Sequence, residues 1–302
     1  MTDNTRPSST RLYVLLARKA PVGVIFRRGP SKRVMLIKWN LENDSFERGQ
    51  WFKGRIYERR CDLSPWGHRL IYFAANYRRP YYSWTAISKP PYLTALALWP
   101  KGDAWGGGGL FESESKVLLN HHPDEMCLAD SFRLAPRMTV RPLGEHSGRG
   151  EDDPIQRTRL RRDGWKQVQA GEHKEMKSKS KVWWKLDPPQ IYSKLFRFEG
   201  NRSLDLRMLV KGIHERQGSW YVLEYQILDR VSGEQSNLGR LDWADWDKNG
   251  DLLGAREGRV YRLKPRSRDG HVTFRPESAL ALADFRGLSF APRRAPDDAQ
   301  VW

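Results

Sequence analysis

Short apolar runs, bounded by Gly, Pro, Asn or Asp and rich in β-branched and aromatic side chains, recur from one end of this chain to the other. They are Leu12–Leu16, Val22–Phe26, Val34–Trp39, Leu70–Ala74, Leu93–Trp99, Trp220–Leu228, Val260–Leu263 and Val272–Phe274. Runs of this kind read as strands, because an amphipathic helix needs a longer stretch with apolar residues three and four apart. The best helical candidate, Ala279–Phe285 after Pro276-Glu277-Ser278, spans a turn or two. Several connections carry hairpin chemistry: Asn40-Leu41-Glu42-Asn43-Asp44, Val231-Ser232-Gly233-Glu234 and Arg256-Glu257-Gly258-Arg259. An all-β fold of antiparallel neighbours is expected.

A weak internal repeat refines this. Cys61–Tyr72, Thr158–Val168 and Trp243–Leu253 each read as a strand end, a turn closing on Gly, and a further strand. Gly164 lies 97 residues beyond Gly67, and Gly250 lies 86 beyond Gly164. Each interval is close to two units of the roughly 40 to 50 residues in a propeller blade. The prediction is a single β-propeller of about five to seven four-stranded blades over residues 11–302, with a disordered tail over 1–10. Irregular charged loops are expected at about 143–185, where Gly144–Pro154 and Glu172–Lys181 carry almost no apolar residue.

Leu63-Ser64-Pro65-Trp66-Gly67-His68-Arg69-Leu70-Ile71-Tyr72-Phe73 resembles the Ser-Pro-Asp-Gly turn and following strand of WD40-like repeats of the TolB type, with Trp66 where Asp is usual. Asp245–Leu263, a turn at Asn249-Gly250 followed by two short strands, is similar to the middle of such a blade. The Gly-His and Trp-Asp pairing of typical WD40 repeats is missing. The resemblance implies a WD40-like propeller fold and leaves function open.

Charge narrows the partners. The 302 residues hold 53 Lys and Arg against 36 Asp and Glu, a net charge of +17, which suits a polyanionic partner such as nucleic acid. Cys61 and Cys127 have no zinc-site spacing, so two free buried thiols are expected. Leu12–Ala17 is too short for a signal peptide and no run approaches the roughly 18 apolar residues of a membrane helix, so a cytoplasmic, non-membrane protein is expected.

Catalytic and metal chemistry finds little support. Asp242, Asp245, Asp247 and Asp251, with Trp243 and Trp246 between them, could supply an acid and base to a glycosidic bond with tryptophan stacking on sugar. Carboxylates beside Asn249-Gly250 also serve turns, and tryptophans also fill cores. Asp247-x-Asn249-x-Asp251 begins like a calcium loop, but Gly250 stands in place four and Gly258 at place twelve, so no such site is expected. His121 and His122 are adjacent, which on a strand sends them to opposite faces and argues against a shared ion. Gly106-Gly107-Gly108-Gly109 lacks the Lys-Ser/Thr of a phosphate loop and reads as a close backbone crossing or bulge. No cofactor is expected.

Basic and aromatic residues lie together in two places. Arg157, Arg159 and Arg161 alternate as along one strand face, with Arg162 beside them; Lys177, Lys179 and Lys181 precede Trp183 and Trp184. Cations on phosphates beside aromatics on bases are the ingredients of single-strand binding. The leading functional expectation is a non-enzymatic propeller scaffold that binds a protein partner within a larger assembly. The alternatives are a nucleic-acid-binding propeller using Arg157, Arg159, Arg161, Lys177, Lys179, Lys181, Trp183 and Trp184, and a carbohydrate-active enzyme using Asp242–Asp251.

Overall fold

A computed structural model of the chain describes residues 10–302 apart from 30–31, 179–180, 199–201, 214–219, 269–270 and 275–277. It is all-β, with 48% strand and 8% helix. Among the described residues there are five sheets of three or more strands and one two-stranded ribbon. Among the described residues no helix is long and apolar enough to cross a membrane. The chain divides into two compact units, one of Tyr13–Asp163 with Ser289–Trp302, the other of Met1–Leu12 with Gly164–Leu288.

The sheets of the first unit are small, and the first of them is a meander. β1 (Arg11–Leu16), β2 (Val22–Arg28), β3 (Arg33–Asn40) and β4 (Ser45–Lys53) pair in chain order, with the Asn40–Asp44 hairpin where the sequence places it. β5 (Arg55–Ile56), β6 (Asp62–Leu63), β7 (Leu70–Ala75), β8 (Ser83–Ser88) and β9 (Ala97–Pro100) form the second sheet, in which β5 and β6 both pair with β7. β10 (Gly109–Phe111), β11 (Lys116–Leu119) and β12 (Thr139–Pro142) form the third, where β11 and β12 run parallel.

The second sheet lies between the other two. Leu70, Tyr72 and Ala74 pack with Val24, Phe26 and Leu36 of the first sheet. Their neighbour Ile71 packs with Phe111, Val117 and Leu119 of the third. Successive side chains of a strand leave on opposite faces, so a strand covered on both sides reads as an unbroken apolar run. All six residues of β7 are buried.

α1 (Asp153–Arg162) corrects one expectation. Arg157, Arg159 and Arg161 lie on this helix and not on a strand. Pro154 opens it with φ already set, Asp153 complements the positive end, and three arginines complement the last turn. Ile155 and Arg159, four apart, are its buried face.

In the second unit β13 (Trp165–Gln169), β14 (His173–Ser178), β15 (Lys181–Phe198), β16 (Arg202–Gly212), β17 (Val222–Asp229) and β18 (Gln235–Arg240) make one sheet, with β14 and β13 both on β15. β19 (Trp243–Trp246), β20 (Leu252–Arg256) and β21 (Arg259–Leu263) make a second meander, and β22 (Arg266–Arg268) with β23 (His271–Thr273) a ribbon. β24 (Leu280–Asp284) pairs with β21, Arg262 opposite Leu280 and Val260 opposite Ala283. This segment is therefore a strand where a helical turn is expected from the sequence: the ladder offered by β21 outweighs a weak local preference.

Two of the three repeats match in detail. Gly67 donates its N–H to the Ser64 carbonyl at 2.9 Å, and Gly250 to that of Asp247 at 3.3 Å. Both glycines are left-handed, at φ +78° and +84°. Around Gly164 the preceding element is α1, so the Thr158–Val168 repeat is a helix, a turn and a strand.

Candidate functional site

The aspartate cluster is spent on its own turn. Asp247 Oδ1 accepts the N–H groups of Asn249 and Asp251 at 2.8 and 2.9 Å, which holds the β19–β20 hairpin. The other oxygen of Asp247 and the Asp251 carboxylate, the latter at 2.9 Å, both receive Arg262. Asp245 pairs with Lys194 at 2.7 Å. Asp242 accepts the Leu12 N–H at 3.3 Å, and burial pushes its carboxyl up to about 6. Trp246 packs against Phe196 and Phe274, with ring centroids 5.8 and 5.4 Å away. The carboxylates thus cap backbone and neutralise buried cations, and the tryptophan is core.

His121 is fully buried. Its Nε2 lies 2.7 Å from Thr85 Oγ1, which itself accepts the Gly108 N–H at 2.8 Å. The Glu125 carbonyl, 3.1 Å from Nδ1, can only accept, so Nδ1 donates to it and Nε2 of the neutral ring accepts from the Thr85 hydroxyl. Burial lowers the imidazole to about 4, so it is neutral near pH 7. Among the described residues no group of His, Cys, Asp and Glu has a metal-binding arrangement. The glycine run is a close crossing: a Cβ on Gly107 would stand 2.4 Å from the Phe73 ring, and one on Gly108 would stand 2.3 Å from the Arg60 carbonyl.

The predicted basic residues disperse. Arg159 is buried and donates to the Cys61 carbonyl and the Tyr13 hydroxyl. Arg162 holds Asp62 with two hydrogen bonds, at 2.6 and 2.9 Å. Arg157 is exposed and pairs with Asp153 at 3.4 Å; Arg161 is exposed. Lys177 lies in β14 opposite Val182, while Lys181 and Trp183 lie in β15 opposite Ser178 and Met176. Lys179 and the side chains of Lys177, Lys181 and Trp183 fall outside the described residues. Trp184 is 42% exposed and stands edge-on to His173. Cys61 is buried as expected, but Cys127 is exposed.

A different surface of the first unit brings cations and aromatics together. The β7–β8 loop, Asn76-Tyr77-Arg78-Arg79-Pro80-Tyr81-Tyr82, is closed on itself: Asn76 and Tyr77 donate their N–H groups to the Tyr82 carbonyl at 3.2 and 3.0 Å, and Tyr82 donates to Arg78 at 2.8 Å. Tyr77 and Tyr82 both adopt left-handed backbone, at φ 59° and 64°, which is rare for a bulky side chain and costs about 1 to 3 kcal/mol each. Their rings meet edge to face at 5.2 Å. The Tyr77 hydroxyl is 2.9 Å from that of Tyr57, and Arg55 lies over the Tyr57 ring at 5.0 Å. Burial and this hydrogen bond push the Tyr57 hydroxyl up to about 12.

Trp105 joins this surface through the neighbouring loop. Ser83, next to Tyr82, donates its hydroxyl to the Asp103 carbonyl, and the Asp103 carboxylate accepts the Trp105 N–H at 2.8 Å. Arg60, stacked at 4.5 Å on Tyr57, anchors the same loop by donating to the carbonyls of Ala104 and Gly106 at 2.8 and 2.6 Å. Tyr77, Tyr82 and Trp105 are 39%, 45% and 56% exposed. The sequence carries a signal for this site, two arginines and three tyrosines inside one Pro-containing turn, but aromatics in a strand-rich chain default to core, and only the fold shows these outside.

The cavities point elsewhere. An apolar cavity of about 170 Å³ in the second unit, lined by Leu238, Leu252, Tyr261 and Leu263, is below the size of an ordinary small-molecule site. An open cleft of about 570 Å³ beside Tyr81 is lined by Asp124, Glu125 and Asp130 and would repel anions.

Neither a protein-family model nor a curated protein matches the sequence. Among solved structures the chain overlays on an uncharacterised protein of Listeria monocytogenes at 8% identity and a TM-score of 0.36, covering 94% of this chain and 98% of that one. It overlays on a Bacteroides fragilis protein assigned as a 6-phosphogluconolactonase at 10% identity and a TM-score of 0.30, covering 94% and 98%. The tricorn protease overlays at 9% identity and a TM-score of 0.23, over 91% of this chain and 22% of that one. Overlays this loose argue for neither a fold nor an activity.

Proposed function

We propose that this chain is a non-enzymatic β-propeller that serves as a binding scaffold inside a larger assembly. The observation that supports it most directly is the stack of three small sheets in the first unit, the outermost strand of the third running parallel to its neighbour and the other pairings antiparallel, with β7 buried on both faces. Face-to-face packing of small antiparallel sheets is how propeller blades associate, and in this reading the five larger sheets are the blades. Internal use of Asp242, Asp245, Asp247 and Asp251 in hairpin and ion-pair contacts favours binding over glycoside hydrolysis. A nucleic-acid-binding propeller is the second reading. It is favoured at one surface by Arg78 and Arg79, which are exposed and have no ion-pair partner among the described residues.

Gel filtration of a gentle native lysate tests the scaffold. The chain is expected to elute well above its own 35.2 kDa, and exchange of Tyr77, Tyr82 and Trp105 for Ser to return it to the monomer position. Elution of the unaltered chain as a free monomer overturns the reading.

A further inference from the structure

We infer that the surface formed by Arg55, Tyr77, Arg78, Arg79, Tyr82 and Trp105 is a binding site for single-stranded nucleic acid. The inference rests on the scaffold reading and names the partner of its exposed loop surface.

Three features converge. The first is charge without neutralisation. Among the described residues no carboxylate forms an ion pair with Arg55, Arg78 or Arg79. Glu58, the carboxylate that acts on Arg55, is itself paired with Arg28. The helix arginines differ, since Arg157 has Asp153 and Arg162 has Asp62. Guanidinium groups left in this state attract phosphates and release the counterions condensed on the strand.

The second feature is aromatic surface held open. Isolated exposed aromatics are ordinary, but these three sit on two loops tied together by the Ser83 to Asp103 contact. Each keeps a large share of its ring surface in water. A base in a duplex is stacked on its neighbours and offers no free face, whereas an unpaired base can stack on tyrosine or tryptophan. This geometry selects a single strand.

The third feature is preorganisation. Both tyrosines carry left-handed backbone, and the loop is locked by its own hydrogen bonds, the Asn76 side chain accepting the Arg78 N–H at 2.9 Å. Strain of this kind persists only where surrounding contacts enforce it, and a rigid platform loses little freedom on binding. The acidic cleft at Asp124, Glu125 and Asp130, on the Tyr81 side, would keep the phosphates toward Arg55, Arg78 and Arg79.

The test is fluorescence anisotropy of the full chain with labelled oligo-dT and oligo-U of about 12 nucleotides, titrated at about 50 to 200 mM salt. Binding of either oligonucleotide is expected, with log K falling linearly against log salt; the two arms show whether DNA, RNA or both are accepted. Replacing Arg55, Arg78 and Arg79 by Gln should reduce the slope by roughly 2, from about 0.7 per lost phosphate contact. Trp105→Ala should weaken binding about 5- to 150-fold with the slope unchanged, because stacking releases no counterions. Tyr82→Ala should weaken binding by a similar factor, and Tyr82→Phe, which keeps the ring, should bind like the unaltered chain; loss of binding in a folded Tyr82→Phe would count against stacking.

Three outcomes overturn the inference. They are no binding of either oligonucleotide at the lowest salt, binding unchanged in folded Gln and Trp105→Ala variants, and duplex bound as tightly as single strand. If the chain still elutes in a large assembly that nuclease leaves intact, the scaffold reading stands and the surface belongs to a protein partner.

Discussion

Asp247 is the residue on which the second unit's hairpin depends most. It accepts two backbone N–H groups and one side of the buried Arg262, so its removal leaves two donors unpaired and Arg262 with one carboxylate fewer. Asp247→Ala should cost about 3 kcal/mol in urea unfolding and Asp251→Asn only about 1, because Asp247 remains to hold Arg262. Asp242 gives a pH signature. Its carboxyl stands at about 6 against an ordinary 3.8, so the folded chain holds a proton that the unfolded chain has released. The associated stability is full below pH about 4 and is lost as pH rises through about 6, a change of about 3 kcal/mol. Asp242→Asn, neutral throughout, should flatten unfolding free energy against pH over that window; an unchanged profile would contradict the assignment. The cysteines also divide. Burial pushes the Cys61 thiol far up and Cys127 is exposed, so a thiol reagent should modify one cysteine in the native chain and the second only on unfolding.

At the level of elements, the glycine run is the sharpest constraint. Gly108 has φ +84° and the Arg60 carbonyl 2.3 Å from where its Cβ would be, so Gly108→Ala combines left-handed strain with a backbone clash. It should cost about 3 kcal/mol or more, whereas Gly233→Ala, at φ +74° in open space, should cost about 1. Equal thermal shifts for the two would refute the packing account. The sequence showed this crossing because four consecutive glycines have few other uses. It also showed the hairpins at Asn40–Asp44, Val231–Glu234 and Arg256–Arg259, where turn chemistry is local. It concealed α1, because Arg157, Arg159 and Arg161 mimic the period of a strand and the inward positions hold only Ile155 and Arg159. β24 was concealed for the opposite reason: its identity comes from pairing with β21 and not from its own residues. The Tyr77–Tyr82 platform depends on which aromatics the fold leaves outside, a property no short window of sequence contains.

Over the whole molecule, 48% strand against 8% helix sets the expected spectrum. Far-UV circular dichroism should be β-dominated, and a helical content above about one third, the ordinary share in globular proteins, would be incompatible with the architecture. The net charge of +17 acts at this scale too. Ion pairs leave that difference unchanged but use up individual cations, as Arg60, Arg162 and Arg262 illustrate, so the count of basic residues overstates how many are open to a partner.

The burial of β7 on both faces has a consequence for synthesis. A ribosome releases Leu70–Ala75 after the first sheet, which can cover Leu70, Tyr72 and Ala74 at once, but Ile71 and Ile87 wait for Phe111, Val117 and Leu119. At about 5 to 20 residues per second that wait lasts several seconds, during which a half-covered sheet presents an adhesive apolar face to the crowded cell. A nascent chain stalled with Pro100 just clear of the ribosome should therefore recruit holdase chaperones more strongly than one stalled with Leu143 clear, which makes the order of the sheets along the chain a kinetic hazard as well as an architecture.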